Sequence, residues 1–401
     1  SMMRVIAVNP FIFAIASVIA SIQQAVGRFM FCALAPMIYN IGIIIGTVWF
    51  TNGINLFGWQ IFDGGIMGVA LGVVLGSFLQ LIVSAVGLVG LGFDYNFKLY
   101  CRNRGFRKVL SLLPARSVDQ GMDYVVSLVE VNLASRLADG TIRAYQQALT
   151  LHLMPINLIG VAISNAAFPQ LTERLGEGRL DLFQKDLRSL LRIIFWMALP
   201  TSVVIFFTRG YIVHFIRNTG DQLMAGILGC LVVAILFRTI YHMAARAFYA
   251  RQDTKTPLYI SVFSISLNIA LAIILTMNLN MGAYGLAWAQ STVAVFEVVI
   301  LLLVMSKQMP RMFNRAFVKA IGKMIAASAV AGVVCYIGVS VMPFRDTDSS
   351  FFSAFPKFTI ISIVSFGVYL LMSKLLRLPE VDPILKKGKK LLFGRLDGVW
   401  R

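Results

Sequence analysis

Charge is what this sequence has least of. Only 13% of its 401 residues are Asp, Glu, Lys or Arg, whereas 58% are hydrophobic. Soluble domains carry roughly a quarter charged residues. A chain this apolar needs lipid as its solvent, which excludes a soluble enzyme. Cysteine is scarce too. Cys32, Cys101, Cys230 and Cys335 are isolated, three of them in apolar stretches, so neither a disulfide framework nor a CxxC metal pair is visible. The sequence also lacks a glycine-rich nucleotide loop, a metal-ligand cluster and a nucleophile–base pair. It therefore predicts no catalytic residue, no metal and no cofactor: not an enzyme.

Acids are half as frequent as bases, 18 against 36, giving a net charge of +18. Nucleic acid is the usual partner of a basic protein. Here the bases fall in short loops between apolar runs, which is the pattern of cytoplasmic membrane loops, so no nucleic-acid partner is expected.

A membrane span needs about 20 mostly apolar residues, and about eleven runs qualify. They are Val5–Ala25, Ala33–Phe50, Gly65–Gly90, Arg116–Leu137, Ile142–Phe168, Leu190–Thr208, Leu223–Ala250, Leu258–Met277, Gly282–Met305, Phe317–Met342 and Phe351–Leu375. The first run is followed by Gln23, Gln24 and Arg28 instead of a small-residue cleavage site, so it reads as a span. Pro155 and Pro200 predict kinks. Leu180–Leu191 and the tail after Asp382 read as basic interfacial helices.

Loop charge sets the orientation. One set of loops holds Arg28, Lys98, Arg102, Arg104, Arg107, Lys108, Arg174, Arg179, Lys185, Arg188, Arg251, Lys255, Lys307, Arg311 and Arg315, plus the basic tail from Lys374. The opposite set holds only Arg4, Arg136, Arg143, Arg209, Arg217 and Arg345. The positive-inside rule makes the first set cytoplasmic. This predicts a multi-pass membrane protein with its C-terminus cytoplasmic and its N-terminus outside.

Two regions repeat. Gly68-Val-Ala-Leu-Gly-Val-Val-Leu-Gly-Ser-Phe-Leu-Gln80 tracks Gly285-Leu-Ala-Trp-Ala-Gln-Ser-Thr-Val-Ala-Val-Phe-Glu297, with Gln80 opposite Glu297. Upstream, Pro36 and Pro257 each open the preceding span, after Arg28 and Arg251. The two copies lie six spans apart, which predicts two parallel, pseudo-symmetric helical halves. The expected organisation is an incomplete N-terminal half over 1–92 and a basic cytoplasmic loop over 93–115. A six-helix C-terminal half over 116–305, two extra helices over 317–375 and a basic cytoplasmic tail over 376–401 follow. The first half then expects three further helices ahead of this sequence. The fold class is all-α, polytopic and membrane-spanning.

Ionisable groups inside spans are costly and are functional candidates. Arg116, Asp119, Gln120, Asp123, Ser127 and Glu130 fall on one helix face. Such a face lines a hydrophilic pathway or pairs with another helix. Arg238, His242 and Arg246 share a face in the run Leu223–Ala250. Guanidinium groups offer paired donors to phosphate oxygens, so this face suits an anionic headgroup such as pyrophosphate, with Arg116 a further candidate. Pairing with the acids, including Glu297, is the alternative. His152 reads as a packing histidine. Gly64, Gly68, Gly72 and Gly76 form a small-residue ridge suited to close helix packing.

Several strings, in order and across nearly the whole chain, resemble the MurJ family of lipid II flippases, within the multidrug, oligosaccharidyl-lipid and polysaccharide exporters. They are Gly27-Arg28-Phe29 with Ala33-Leu-Ala-Pro36; Asn132-Leu-Ala-Ser135; Gly160-Val-Ala-Ile with Phe168-Pro-Gln-Leu171; and Ala247-Phe-Tyr-Ala-Arg-Gln-Asp-Thr-Lys-Thr-Pro257. The resemblance implies two six-helix halves plus two C-terminal helices, the present spans matching all but the first three. It implies flipping of lipid-linked peptidoglycan precursor by alternating access in cell-wall synthesis, with the last two helices cradling the polyprenyl tail. Arg238 and Arg246 would hold the pyrophosphate. Asp123, Glu130, Asn268, Thr292 and Glu297 would line the cavity and hold a coupling cation or proton, or the membrane potential would drive the cycle. Expected partners are the polyprenyl-linked substrate, membrane lipids and other cell-wall synthesis proteins. Two departures stand out. The family's cationic cavity draws on arginines of its first two helices, and the acid–arginine pair that many members carry before the motif proline is replaced by Leu149 and Thr150. The alternatives are an ion-coupled exporter of drugs or of other polyprenyl-linked oligosaccharides, and a non-transporting membrane scaffold.

Overall fold

A computed structural model describes residues 2–56, 59–62, 64–90, 103–216, 221–309, 312–343 and 351–382. The chain divides into two units, Ser1–Cys101 and Arg102–Arg401. Ten helices among the described residues are long and apolar enough to cross a membrane. The fold is all-α and polytopic, with one small hairpin.

The first unit contains α1 (Met2–Ile6), α2 (Asn9–Ala25), α3 (Phe29–Val48) and α4 (Ile66–Val86). An antiparallel hairpin, β1 (Ile54–Leu56) and β2 (Trp59–Phe62), joins α3 to α4. Pro36 lies inside α3 rather than at its start. The glycine ridge of α4 has a matching ridge on α3. Gly42 packs on Gly76 and Gly46 on Gly72 so closely that a Cβ on either α3 glycine would strike its partner's backbone. Between helices in lipid there is no hydrophobic driving force, so close backbone packing of this kind has to supply the attraction. Buried amides add to it: Gln23 Nε2 donates to Ser84 O at 2.5 Å, and Ser77 Oγ donates to Asn9 Oδ1 at 3.1 Å.

The second unit begins with α5 (Arg104–Ser135), a single helix of 32 residues. The stretch 93–115, read above as loop, is thus helical from Arg104, where Asn103 Oδ1 caps the Gly105 N–H at 2.8 Å. At 1.5 Å per residue α5 is about 48 Å long, well beyond the roughly 30 Å hydrocarbon core. Among its described residues, Tyr124–Ser135 forms an apolar stretch shorter than the ten.

The next span is interrupted. α6 (Thr141–Pro155) runs into a π turn, Ile156–Val161, before α7 (Ala162–Gly176). Pro155 removes one N–H and crowds the carbonyl a turn earlier, and the chain widens into a π turn instead of breaking. Gly160 sits in that turn against Thr239: a Cβ there would lie 2.9 Å from the Thr239 Cα.

α8 (Leu180–Ile216) is one unbroken 37-residue helix with Pro200 inside it. The separate interfacial helix expected over Leu180–Leu191 is therefore its first third. Phe183, Leu187 and Leu191 are fully buried in a core shared with Leu171, Met243 and Phe248. An apolar face already covered by protein is not offered to lipid headgroups.

α9 (Gln222–Ala250) is the central helix, packed against α6, α7, α8 and α11. α10 (Lys255–Ile273) ends in a second π turn, Ile274–Asn278, and α11 (Ala283–Gln308) follows. α12 (Arg315–Val341) and α13 (Phe351–Leu375) pack on α8. There Trp196 Nε1 donates to Ser373 Oγ at 3.1 Å, and the Tyr369 hydroxyl donates to Trp196 O at 2.8 Å. The tail after Asp382 lies outside the described residues.

The repeat read from sequence has a backbone counterpart inside each unit. After α2 and after α9 the chain reverses through a left-handed residue, Gly27 (φ 81) and Gln252 (φ 60). In each case the next N–H reaches five residues back, Arg28 to Gln23 O at 2.9 Å and Asp253 to Phe248 O at 3.0 Å, the Schellman closure. α4 and α11 then open alike. Gly65 and Gly282 take φ/ψ of 74/−157 and 57/−136. Gly68 and Gly285 each donate to the capping carbonyl at 3.0 Å.

Candidate functional site

A cavity of about 500 Å³ lies within the second unit, walled by α5, α6 with its π turn, α9, α10 and α11. It falls in the range of sites that hold small ligands or the head of a larger one. α9 contributes Arg238, Tyr241, His242, Ala245, Arg246 and Tyr249, a continuous face over three turns. This is the cationic face expected from sequence.

The face is not bare. Arg238 Nη1 lies 3.2 Å from Glu297 Oε2, with the Arg238 side chain 29% exposed and that of Glu297 4%. Arg246 donates to Asn165 Oδ1 and stacks over the Phe168 ring, 5.3 Å from its centroid. The cationic face and the acid pairing expected from sequence are therefore both present, since Arg238 is paired and still lines the cavity.

A second acid faces the same space. Glu130 of α5 is buried and accepts from Gln290 Nε2 at 2.7 Å. The buried Tyr145 ring of α6 brings its hydroxyl against the same carboxyl. His152 lines the cavity, and its Nδ1 lies 2.9 Å from Leu149 O, an anchor that fixes the ring. α10 presents an uncharged ladder of Ser261, Ser264 and Asn268, one face at spacings of three and four. Ser261 Oγ meets the Tyr241 hydroxyl at 3.2 Å. Among the described residues, neither amide atom of Asn268 nor the Ser264 hydroxyl has a hydrogen-bond partner, and both residues are buried.

Of the residues singled out in sequence, the fold brings Arg238, His242, Arg246, Glu130, Asn268 and Glu297 to one cavity. The side chains of Arg116 and Asp123 lie outside the described residues. Thr292 does not line the cavity and is a correction. Gln290 and Glu297, seven apart, share one face of α11, whereas Thr292 sits two residues from Gln290 and points away. Its neighbour Ser291 donates to Cys230 O at 2.6 Å, pinning α11 to α9 on another side. Gln290 was missed as a site residue. The same seven-residue spacing from Glu297 was the signal that could have found it.

With this geometry in place, the comparisons with known proteins decide the family. A family model described as "Lipid II flippase MurJ" matches residues 1–354. The chain belongs to the MurJ family. A probable lipid II flippase MurJ of Thermotoga maritima is 26% identical over 378 residues, covering 93% of this chain and 70% of that protein. One from Borreliella burgdorferi is 22% identical and covers 74% of this chain, which spans only 57% of that relative's length. Among solved structures, a lipid II flippase MurJ in an inward closed conformation matches with a TM-score of 0.70. It covers 93% of this chain and 73% of its own at 23% identity, which shows a shared fold. An outward-facing MATE-family multidrug transporter matches at 0.63 and 16% identity, over 78% of this chain and 70% of its own. The fold alone thus leaves the exporter reading open, and the MurJ family model narrows it.

Proposed function

We propose that this MurJ-family chain moves lipid II, the polyprenyl-pyrophosphate-linked peptidoglycan precursor, across the inner membrane by alternating access. The observation that carries the reading is the α9 face. Arg238, His242 and Arg246 line a cavity inside a membrane-spanning unit, where an ionised group is costly without a task. The two arginines are eight residues apart, about 12 Å along the helix, so a pyrophosphate held between them lies over His242. The α10 ladder of hydroxyls and an amide suits the sugar next to the phosphates.

The exposed apolar faces of α12 and α13, including Val333, Ile337, Ile363 and Leu371, suit the polyprenyl tail. Glu130 with Gln290 and Asn268 is the coupling site for a cation or proton. An inside-negative membrane potential also favours outward movement of an anionic headgroup, by about 2.3 kcal/mol per charge per 100 mV. The C-terminus is cytoplasmic and the N-terminus outside, membrane lipids surround the spans, and other cell-wall synthesis proteins are partners. The chain acts as a transporter and carries out no covalent step.

The test is lipid II binding to purified protein. The double substitution Arg238→Gln with Glu297→Gln removes the guanidinium without stranding a buried acid. We expect at least a tenfold loss of affinity with an unchanged melting temperature. Unchanged affinity would contradict the pyrophosphate role.

A further inference from the structure

A second cavity, of about 570 Å³, lies at the turn from α5 to α6. Its polar lining is Ser135, Asp139, Arg143, Gln146, Gln147 and Thr150. It therefore holds one base and one acid, Arg143 and Asp139, and both are exposed. Among the described residues, neither side chain makes an ion pair or a hydrogen bond. Gln147 Oε1 is buried and also has no hydrogen-bond partner among the described residues. The function proposed above uses none of these six side chains.

The two cavities follow one another along the same two helices. On α5, Glu130 faces the first cavity, and Ala134 and Ala138 face the second, at steps of four. On α6, Gln146 and Thr150 face the second cavity and Leu153 the first, at steps of four and three. One continuous face of each helix therefore walls both. Arg143 lies nine residues from His152, which lines the first cavity with Arg238. That separation is about 13 Å along the helix axis. An extended peptide advances about 3.3–3.6 Å per residue, so about four residues cover it.

Arg143 offers paired N–H donors to a carboxylate, and Asp139 accepts from an ammonium. The Gln146 and Gln147 amides donate and accept, as a peptide backbone requires. A ligand that suits all four carries a carboxylate, an amine and peptide bonds on one short chain. We infer that this second cavity receives the peptide portion of the precursor headgroup, with Arg143 on a carboxylate and Asp139 on an ammonium. The inference rests on the pyrophosphate reading above and deepens it. The α9 face holds a group common to every polyprenyl pyrophosphate, whereas Arg143 and Asp139 select one that bears a peptide. They bind and select, and no bond in the substrate changes.

The test compares two probes on the full chain in detergent. One is a short-chain prenyl-pyrophosphoryl sugar; the other is the same compound carrying a peptide with a free carboxylate and a free amine. The readout is the ratio of their affinities. We expect the parent protein to favour the peptide-bearing probe by about tenfold, the scale of one hydrogen bond to a charged group. Arg143→Gln and Asp139→Asn should each cut that ratio by roughly threefold or more, with an unchanged melting temperature. Amidating the peptide carboxylate should abolish the effect of Arg143→Gln and keep that of Asp139→Asn, a pattern that general loss of structure does not produce. A parent that binds both probes alike, or a ratio that both substitutions leave unchanged, overturns the proposal. So does a preference that disappears when phosphatidylethanolamine is added, since the cavity then belongs to a lipid ammonium and phosphate. If the parent binds neither probe, the pyrophosphate reading falls and this one with it.

Discussion

Gly68 and Gly285 occupy the same place in their two units: each sits one turn into a helix and packs on the irregular end of the helix before it. A Cβ on Gly68 would lie 2.5 Å from the Phe50 carbonyl carbon, and one on Gly285 would lie 2.8 Å from that of Leu275. Both contacts are with backbone, which cannot step aside. Gly68→Ala and Gly285→Ala should each cost about 1–3 kcal/mol through overpacking. The measurement is the melting temperature of the detergent-purified protein. Gly322→Ala, with open space at its Cβ, is the control and should leave it unchanged.

Glu130 and Gln290 form a further polar contact of the cavity, 2.7 Å apart. A hydrogen bond to a charged group contributes about 1.5–3 kcal/mol. Gln290→Leu should destabilise the protein by about that amount, because it strands the acid. Glu130→Gln should melt normally yet lose coupling. Ion- or proton-stimulated transport should fall at least tenfold in Glu130→Gln, and transport that stays stimulated would count against the coupling role.

The Arg192 and Glu380 pair fixes the short turn after α13 to α8. Arg192 Nε lies 2.6 Å from Glu380 Oε1, with side-chain exposures of 20% and 6%. Removing one partner of a buried pair typically costs about 3–5 kcal/mol, whereas removing both is often close to neutral. Arg192→Met should therefore destabilise more than Arg192→Met combined with Glu380→Leu. Thermal melts of the two single variants, the double variant and the parent decide it. Equal destabilisation of single and double variants would contradict the pairing.

Asp253 shapes the loop before α10. Burial raises its carboxyl, but hydrogen bonds from the Thr256 side chain and backbone outweigh burial and hold it below the usual carboxylate range. The Thr256 hydroxyl donates at 2.7 Å and its N–H at 3.0 Å. A depressed folded-state pKa means the stability it contributes is present above the unfolded value, near 4, and is lost as pH falls through the folded value. Asp253→Ala should lose about 1 kcal/mol at pH 7. Its melting temperature should converge with the parent's in acid, and a constant gap down to pH 3 would contradict the linkage.

How much of this was legible in the chain differs by kind of feature. The spans were legible because apolar runs of bilayer length admit few other readings; α13 ends on the residues read from hydropathy, Phe351 and Leu375. The face of Arg238, His242 and Arg246 was legible because a four-residue spacing needs only one helix. Helix ends were harder. Hydropathy stops where charge begins, yet α5 and α8 continue through Arg107 and Lys185 beyond the apolar stretch. The π turns at Ile156–Val161 and Ile274–Asn278 depend on how Gly160 and Gly285 meet neighbouring helices, which one strand of sequence does not carry. Glu297 was visible as a buried acid, but its choice of Arg238 over other cations is set by the packing of α9 on α11. Thr292 lies two residues from Gln290 on α11, so the helical period already sets it on another side of the helix.

The most direct test is flipping itself. Purified chain is reconstituted with uniform orientation into liposomes carrying fluorescent lipid II in one leaflet, with an inside-negative potential applied. We expect transfer to the opposite leaflet that exceeds empty liposomes at least tenfold and that Arg238→Gln with Glu297→Gln abolishes. Lipid II that stays in its original leaflet, with the protein folded and correctly oriented, would contradict the proposed function.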